Sequence, residues 1–96
     1  MVAVRRIVLD VLKPHEPPLP AFTKRITGVE SVVGTTVSLV EQDKEVQTVK
    51  VTLEGESVAY DDVEGTIEEL GASVHSIDEV SCGEYVVEER ATFQDA

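Results

Sequence analysis

Two imidazoles and two carboxylates form the set of side chains in this sequence that best suits a divalent metal. They are Asp10, His15, Glu16 and His75. Imidazole nitrogen is a good ligand for zinc-like ions, and carboxylate oxygen suits harder ions. No spacing of the His-x-x-x-His or Cys-x-x-Cys type fixes two ligands on one element. The sequence therefore favours a structural interpretation, in which His15 fastens the prolines around it and Asp10 pairs with Lys13 or an arginine.

A second set of acidic side chains offers only oxygen. Its members are Glu41, Asp43, Glu45, Asp78 and Glu79. Such ligands suit calcium or magnesium. Solvated acidic strand ends are the simpler explanation, since exposed carboxylates of this kind need no partner.

Catalysis has less support than binding. His15 or His75 could act as a general base, because histidine titrates near neutrality, which makes a metal-dependent enzyme the alternative function. No spacing assigns a Ser-His-Asp or Cys-His set. Cys82 stands near Glu79 and Glu84, whose negative charge disfavours a thiolate, so we interpret Cys82 as structural.

Charge narrows the classes of partner. The chain has 96 residues, with 19 acidic against 8 basic side chains and a net charge of -11. This balance repels nucleic acid, whose phosphates are bound by basic patches. Screening by salt lowers the cost of such self-repulsion, so the acidity favours a halophilic type of surface.

The length of the apolar runs and the cysteine count indicate where in the cell the protein is expected. No run approaches the roughly 20 apolar residues that a membrane span needs. A single cysteine cannot form an internal disulfide, and this favours a reducing cytoplasm.

Alternating aliphatic residues predict four strands, and two stretches with helical spacing lie between them. Pro20 is predicted to begin the first helix and Gly28 to end it, while Asp61 and Asp62 are expected to cap the second, which Gly71 ends. A further short strand is expected at residues 85–89 and a frayed tail at residues 91–96. The predicted strands cover residues 4–12, 32–42, 46–54 and 73–80.

This order predicts one α+β domain over residues 1–96 with the ferredoxin-like βαββαβ arrangement. Its antiparallel sheet would have the order 4-1-3-2 with both helices on one face. We expect Asp10, the His15-Glu16 segment and His75 to approach one end of the molecule, with Glu41, Asp43 and Glu79 towards the other.

The face of the sheet without helices is predicted to be apolar. Val8 and Leu12 would face outward beside Asp10, with Val40 and either Val74 or Val80 as neighbours. An apolar open face indicates a covering partner, and self-association is the simplest one. We therefore expect a homo-oligomer.

Three segments together resemble a known family. They are LDVLKPHEP at residues 9–17, VEQDKEVQTVKVTLEG at residues 40–55, and HSIDEV at residues 75–80 followed by Gly83. They are similar to the archaeal family called domain of unknown function 211, although residues 18–31 look short for it. The resemblance implies a ferredoxin-like fold, a tendency to form homo-oligomers, and no established activity. The resulting hypothesis is a non-enzymatic regulatory subunit that holds a small ligand or a divalent metal at subunit boundaries.

Overall fold

The computed structural model describes residues 2–88. Its elements follow the predicted order βαββαβ. They are β1 (Val4–Pro14), α1 (Leu19–Thr27), β2 (Gly34–Gln42), β3 (Val46–Glu54), α2 (Tyr60–Glu69) and β4 (Ser73–Cys82).

The four strands form one antiparallel sheet of order β2-β3-β1-β4, which is the predicted order 4-1-3-2 counted from the opposite edge. Leu9 of β1 lies between Val51 of β3 and Ile77 of β4, and Val51 in turn pairs with Val37 of β2. The ferredoxin-like α+β fold is therefore confirmed. It leaves β2 and β4 at the two edges of the sheet.

The core lies between the sheet and the two helices. Successive side chains of a strand point to opposite faces, so every second residue of β1 faces the helices. Those residues meet Phe22 and Ile26 of α1 and Val63 and Ile67 of α2, and all four helix residues are completely buried. The buried strand residues on this face are Ile7, Leu9, Val11, Val49, Val51 and Leu53.

The two helices begin differently from the prediction. Pro18 is the N-cap of α1, so Pro20 stands in the first turn rather than at the first position. In α2 the N-cap is Ala59, and Asp61 and Asp62 lie within the first turn. The prediction that these aspartates cap the helix was wrong. Their negative charge near the N-terminus still stabilises the helix through its dipole.

Bulges alter the predicted alternation of β4. Its pairing with β1 shifts register between Val8 and Leu9 and again between Asp10 and Val11. Each shift inserts an extra residue and rotates the following side chains to the other face. As a result three aliphatic residues reach the helix side without strict alternation: Val74 opposite Val11, Ile77 opposite Leu9, and Val80 opposite Ile7.

The chain turns sharply after β4. Gly83 has a φ of 116°, a conformation that favours glycine. The Arg5 guanidinium then donates to the carbonyl of Glu84 at 2.6 Å. Residues 85–88 form no strand, contrary to the prediction. Residue 89 and the predicted tail at residues 91–96 lie outside the described residues.

No helix within residues 2–88 is long and apolar enough to cross a membrane.

Candidate functional site

The end of β1, the connector that follows it and the β2-β3 turn meet at one end of the sheet, which we call the junction. Pro14 at the end of β1 pairs with Val46 at the start of β3. The turn at residues 43–45 therefore lies beside His15. Our prediction that Glu41 and Asp43 occupy the opposite end was wrong, because antiparallel neighbours place the end of one strand beside the start of the other.

Lys13 closes the core at the junction. Its side chain is completely buried, and its ammonium lies 5.5 Å from the centre of the Phe22 ring. Nζ donates to the Pro14 carbonyl at 2.9 Å, to the His15 carbonyl at 3.4 Å and to Gln47 Oε1 at 2.9 Å. Three acceptors match the three donors of an ammonium group. Lys13 therefore ties the connector to β3.

Burial lowers the pKa of Lys13 from its ordinary value, and the negative charge of Glu16 offsets part of that shift. Desolvation disfavours the charged form of a lysine. Its oxygen partners are two carbonyls and a neutral amide, so the stabilisation comes from hydrogen bonds. Because the amine is enclosed and its donors are used, Lys13 is unsuited to attack a substrate.

His15 fastens the connector to the β2-β3 turn. Its Nε2 lies 2.7 Å from the Asp43 carbonyl oxygen. A carbonyl only accepts, so Nε2 carries the hydrogen and Nδ1 of the neutral ring is left as an acceptor. This contact agrees with the structural interpretation of His15. His15 is exposed, and Nδ1 is the ring atom through which it could bind a cation.

Asp43 stabilises the β2-β3 turn to which His15 is hydrogen-bonded. Its Oδ1 accepts from the backbone N–H groups of Glu45 at 2.8 Å and Val46 at 2.9 Å. These two hydrogen bonds lower the pKa of Asp43, and the nearby charge of His15 lowers it further. One carboxylate oxygen is therefore committed to the backbone.

The remaining members of the first predicted set are spread along β1 and β4. Asp10 lies opposite Lys50 on one side and Ser76 on the other. His75 is the extra residue of the bulge between the pairs of Ser76 and Val74, and it is exposed. Across residues 2–88, no group of three or more His, Cys, Asp or Glu side chains is placed to hold a metal ion. A metal site remains a prediction, and within one chain these ligands do not make one.

The second predicted set is divided as well. Glu41 and Glu45 are exposed near the junction. Asp78 accepts from the Ser76 hydroxyl at 2.7 Å, and Glu79 lies opposite Val8. Glu79 also approaches Arg6 at 3.7 Å. The carboxylates of this set are therefore divided between the junction and β4.

The open face of the sheet is less apolar than predicted. Val8 is only 6% exposed, while Leu12 is 36% exposed. Arg6 lies on the same side of β1 and approaches Glu54 at 3.5 Å. Long polar side chains cover aliphatic neighbours in this way. The prediction that Val8 offers a bare surface was wrong.

Apart from Leu12, the exposed aliphatic side chains of the sheet lie at its edges. Leu39 and Val40 of β2 are 42% and 61% exposed, and Val33 just before β2 is 76% exposed. On β4, Ile77 and Val80 are 50% and 52% exposed. The sequence does contain a signal for the first group, because residues 31–40 carry no charge. The alternating pattern of this run did not show that its aliphatic side chains would stay exposed at the edge.

Helix α1 carries an apolar surface of its own. A shallow, open depression of about 700 Å³ lies on the side of the helix. We call its lining the α1 stripe, formed by Leu19, Pro20, Thr23, Lys24, Thr27 and Gly28. The Thr23 hydroxyl donates to the Leu19 carbonyl at 2.7 Å and that of Thr27 to the Thr23 carbonyl at 2.8 Å. Both hydroxyls are thus occupied within the helix.

Comparison with known proteins extends over nearly the whole chain. The model of the family domain of unknown function 211, described as uncharacterized ArCR, matches residues 5–96. The uncharacterized protein MJ0319 of Methanocaldococcus jannaschii is 44% identical over 95 residues, which are 99% of this chain and 98% of that protein. The chain therefore belongs to the domain of unknown function 211 family.

Proposed function

We propose that this protein is a non-enzymatic subunit of a homo-oligomer. One observation carries the proposal. In a chain with a net charge of -11, the exposed residues Val33, Leu39 and Val40 lie along a sheet edge within an uncharged run. Exposed aliphatic residues on a long edge strand indicate a surface that another chain covers.

The junction supports a binding role over a catalytic one. The Lys13 ammonium and one oxygen of Asp43 are engaged in holding the connector and the turn. His15 uses Nε2 for the same purpose. The contacts of these groups hold the connector against the β2-β3 turn and β3, and they stabilise a fixed shape.

We further propose that the assembled protein holds a small ligand or a divalent metal where subunits meet. His15 and Glu16 are both exposed at the junction, so the His15 Nδ1 and the Glu16 carboxylate are the candidate ligands. Two such ligands are too few for the four positions of a zinc-like site. A neighbouring subunit would supply the others.

Native mass spectrometry of purified protein tests both parts of the proposal together. The wild-type protein is compared with His15→Ala after reloading with zinc or calcium. We expect a multiple of the single-chain mass, with bound metal that the substitution reduces. A single-chain mass at all concentrations would contradict the homo-oligomer, and equal metal content in both proteins would contradict the His15 site.

A further inference from the structure

The chain after β4 crosses the end of the sheet at which β1 begins. The Gly83 N–H donates to the Ala3 carbonyl at 2.9 Å. Further along, Val86 lines a depression together with Arg5 and Gly55, and Gly55 directly follows β3. The segment therefore runs from the β4 edge past the start of β1 towards the end of β3.

Glu88 brings this segment to the open face of the sheet. Its two carboxylate oxygens lie 3.3 Å and 3.2 Å from Nη1 of Arg6. Alternate side chains of a strand share a face, so Arg6 lies on the open face together with Val8, Asp10 and Leu12. The chain beyond Glu88 therefore starts at the open face, beside the first of these residues.

Negative charge is in excess at this point. Arg6 approaches the carboxylates of Glu54 at 3.5 Å, Glu79 at 3.7 Å and Glu88 at 3.2 Å. Within the described part of the chain, these carboxylates form no ion pair with any other basic side chain. One guanidinium therefore faces three carboxylates, and a second cation would relieve their mutual repulsion.

Two residues beyond Glu88 suit the open face, one by its charge and one by its apolar ring. Arg90 follows Glu88 by two residues, and two residues span up to about 7 Å. Its guanidinium is therefore within reach of the carboxylates around Arg6. Phe93 follows Glu88 by five residues, and five residues span up to about 17 Å.

Leu12 is the exposed apolar residue of the open face at that distance. The rise along a strand places Asp10 about 13 Å and Leu12 about 20 Å from Arg6. Leu12 is 36% exposed, and its neighbours across the sheet, Thr48 and Ser73, carry no charge. An aromatic ring placed here would remove apolar surface of both side chains from water.

We propose that residues 89–93 bind back onto the open face of their own sheet. Arg90 supplies a second cation to the carboxylates around Arg6, and Phe93 covers Leu12. The chain then closes this face itself, in place of part of the frayed tail expected from the sequence. A partner that bound to the open face would first have to displace the segment. These contacts lie within one chain and do not depend on the homo-oligomer.

A single tryptophan tests the contact with Leu12. The sequence contains no tryptophan, so the emission of the full-length variant Phe93→Trp reports on this position alone. We expect emission at shorter wavelength than in urea, because the indole is withdrawn from water. Adding Leu12→Ser should move the emission most of the way to the urea value. Adding Leu39→Ser, at a leucine of similar exposure on the helix side of β2, should leave it unchanged.

Circular dichroism checks that both serine variants keep the fold. Emission of Phe93→Trp equal to the urea value, or an equal response to the two serine substitutions, would overturn the proposal.

Arg90 is tested in the same tryptophan protein. Arg90→Gln removes the cation and should also move the emission towards the urea value. Arg90→Lys is the matched control, since it keeps the charge and should keep the emission. An emission that Arg90→Gln leaves unchanged would overturn the role given to Arg90.

Cysteine pairs distinguish the chain's own segment from that of a neighbouring copy. With the exposed Cys82 replaced by serine, Leu12→Cys is combined with Phe93→Cys, and Leu39→Cys with Phe93→Cys is the control pair. After mild oxidation we expect a disulfide in the first pair only, in a species that keeps the single-chain mass under denaturing conditions. Disulfides between chains, or no difference between the two pairs, would overturn binding to the chain's own face. The native mass of the same proteins reports separately on the homo-oligomer.

Discussion

At the scale of single residues, Lys13 shows what the sequence could predict and what it could not. We expected Lys13 as one partner of Asp10. The two residues are three apart on a strand, so they point to opposite faces and cannot pair. Lys13 instead enters the core and binds neutral oxygens, including Gln47 Oε1. The alternation along β1 could be read from the sequence. The acceptors could not, because they come from three places that only the fold brings together: the end of β1, the connector at His15, and Gln47 of β3.

Lys13→Met should lower the free energy of unfolding by about 3 kcal/mol, because it removes the donor of three acceptors at the edge of the core. Lys50→Met is the matched control, since Lys50 is exposed on β3, and it should change stability by less than about 0.5 kcal/mol. Urea denaturation measures both. Equal effects of the two substitutions would show that Lys13 does not hold the connector.

Asp43 gives a prediction about acid stability. Its pKa is lowered from 3.8 in the folded protein, so its contribution is present above that value and is lost as the pH falls through the folded pKa. In Asp43→Asn an amide oxygen replaces the carboxylate and does not titrate. The stability advantage of the wild type over this variant should shrink between pH 5 and pH 2, as followed by thermal denaturation. A constant difference across that range would contradict the role given to the carboxylate.

At the scale of elements, the sequence predicted some strands better than others. The bounds of β3 were predicted at residues 46–54 and confirmed, because its own alternation is uninterrupted. It pairs with β1 without a register shift, and the irregularity in its pairing with β2 places the extra residue, Val40, in β2. β4 was predicted as a regular strand, but its bulges bring Ile77 to the helix side. Bulges arise from pairing with another strand, and a single strand's pattern does not reveal them.

Two glycines provide a matched test of how the elements are connected. A Cβ on Gly55 would collide with the Ser31 carbonyl oxygen, whereas one on Gly65 of α2 would meet nothing within 4 Å. Gly55→Ala should therefore destabilise the protein by about 2 kcal/mol. Gly65→Ala should stabilise it by about 0.5 to 1 kcal/mol, because alanine suits a helix interior better. Denaturation midpoints of both variants check this pair, and a tolerated Gly55→Ala would mean that the approach of Ser31 is not close.

At the scale of the whole molecule, the dominant feature is unbalanced charge. In the part of the chain that the structure describes, ion pairs involve only Arg6 and Arg25 among the basic residues. These pairs are partly or fully exposed and contribute little. We therefore expect repulsion among the carboxylates to outweigh the attraction within these ion pairs. Salt screens both effects, so its net effect should be to stabilise the fold.

Potassium chloride should accordingly raise the melting temperature between about 0.1 M and about 1 M, where the screening length falls from about 10 Å to about 3 Å. Assembly should strengthen over the same range, since the proposed interface has few charges of its own. Differential scanning calorimetry at fixed protein concentration measures the first effect. A melting temperature that falls with salt would mean that ion pairs, and not repulsion, control stability.

The location of the surface for the proposed self-association could be predicted only in part. The sequence indicated an exposed apolar region and suggested self-association. It assigned that region to Val8, which neighbouring side chains cover in the folded chain. The predicted strand order already put β2 at an edge of the sheet, but its alternating pattern did not show that Leu39 and Val40 would stay exposed there.

The most direct test of self-association through β2 is the molar mass of two charge variants. Leu39→Lys places a cation on the helix side of β2, and Ile77→Lys places one on the helix side of β4. Both residues are about half exposed, so both folded chains should tolerate lysine. For Leu39→Lys, light scattering should give the mass of a single chain, which is 10.4 kDa in the wild type, or the mass of a smaller assembly. For Ile77→Lys it should give the mass of the full wild-type assembly. An unchanged assembly in Leu39→Lys together with a dissociated Ile77→Lys would contradict the account.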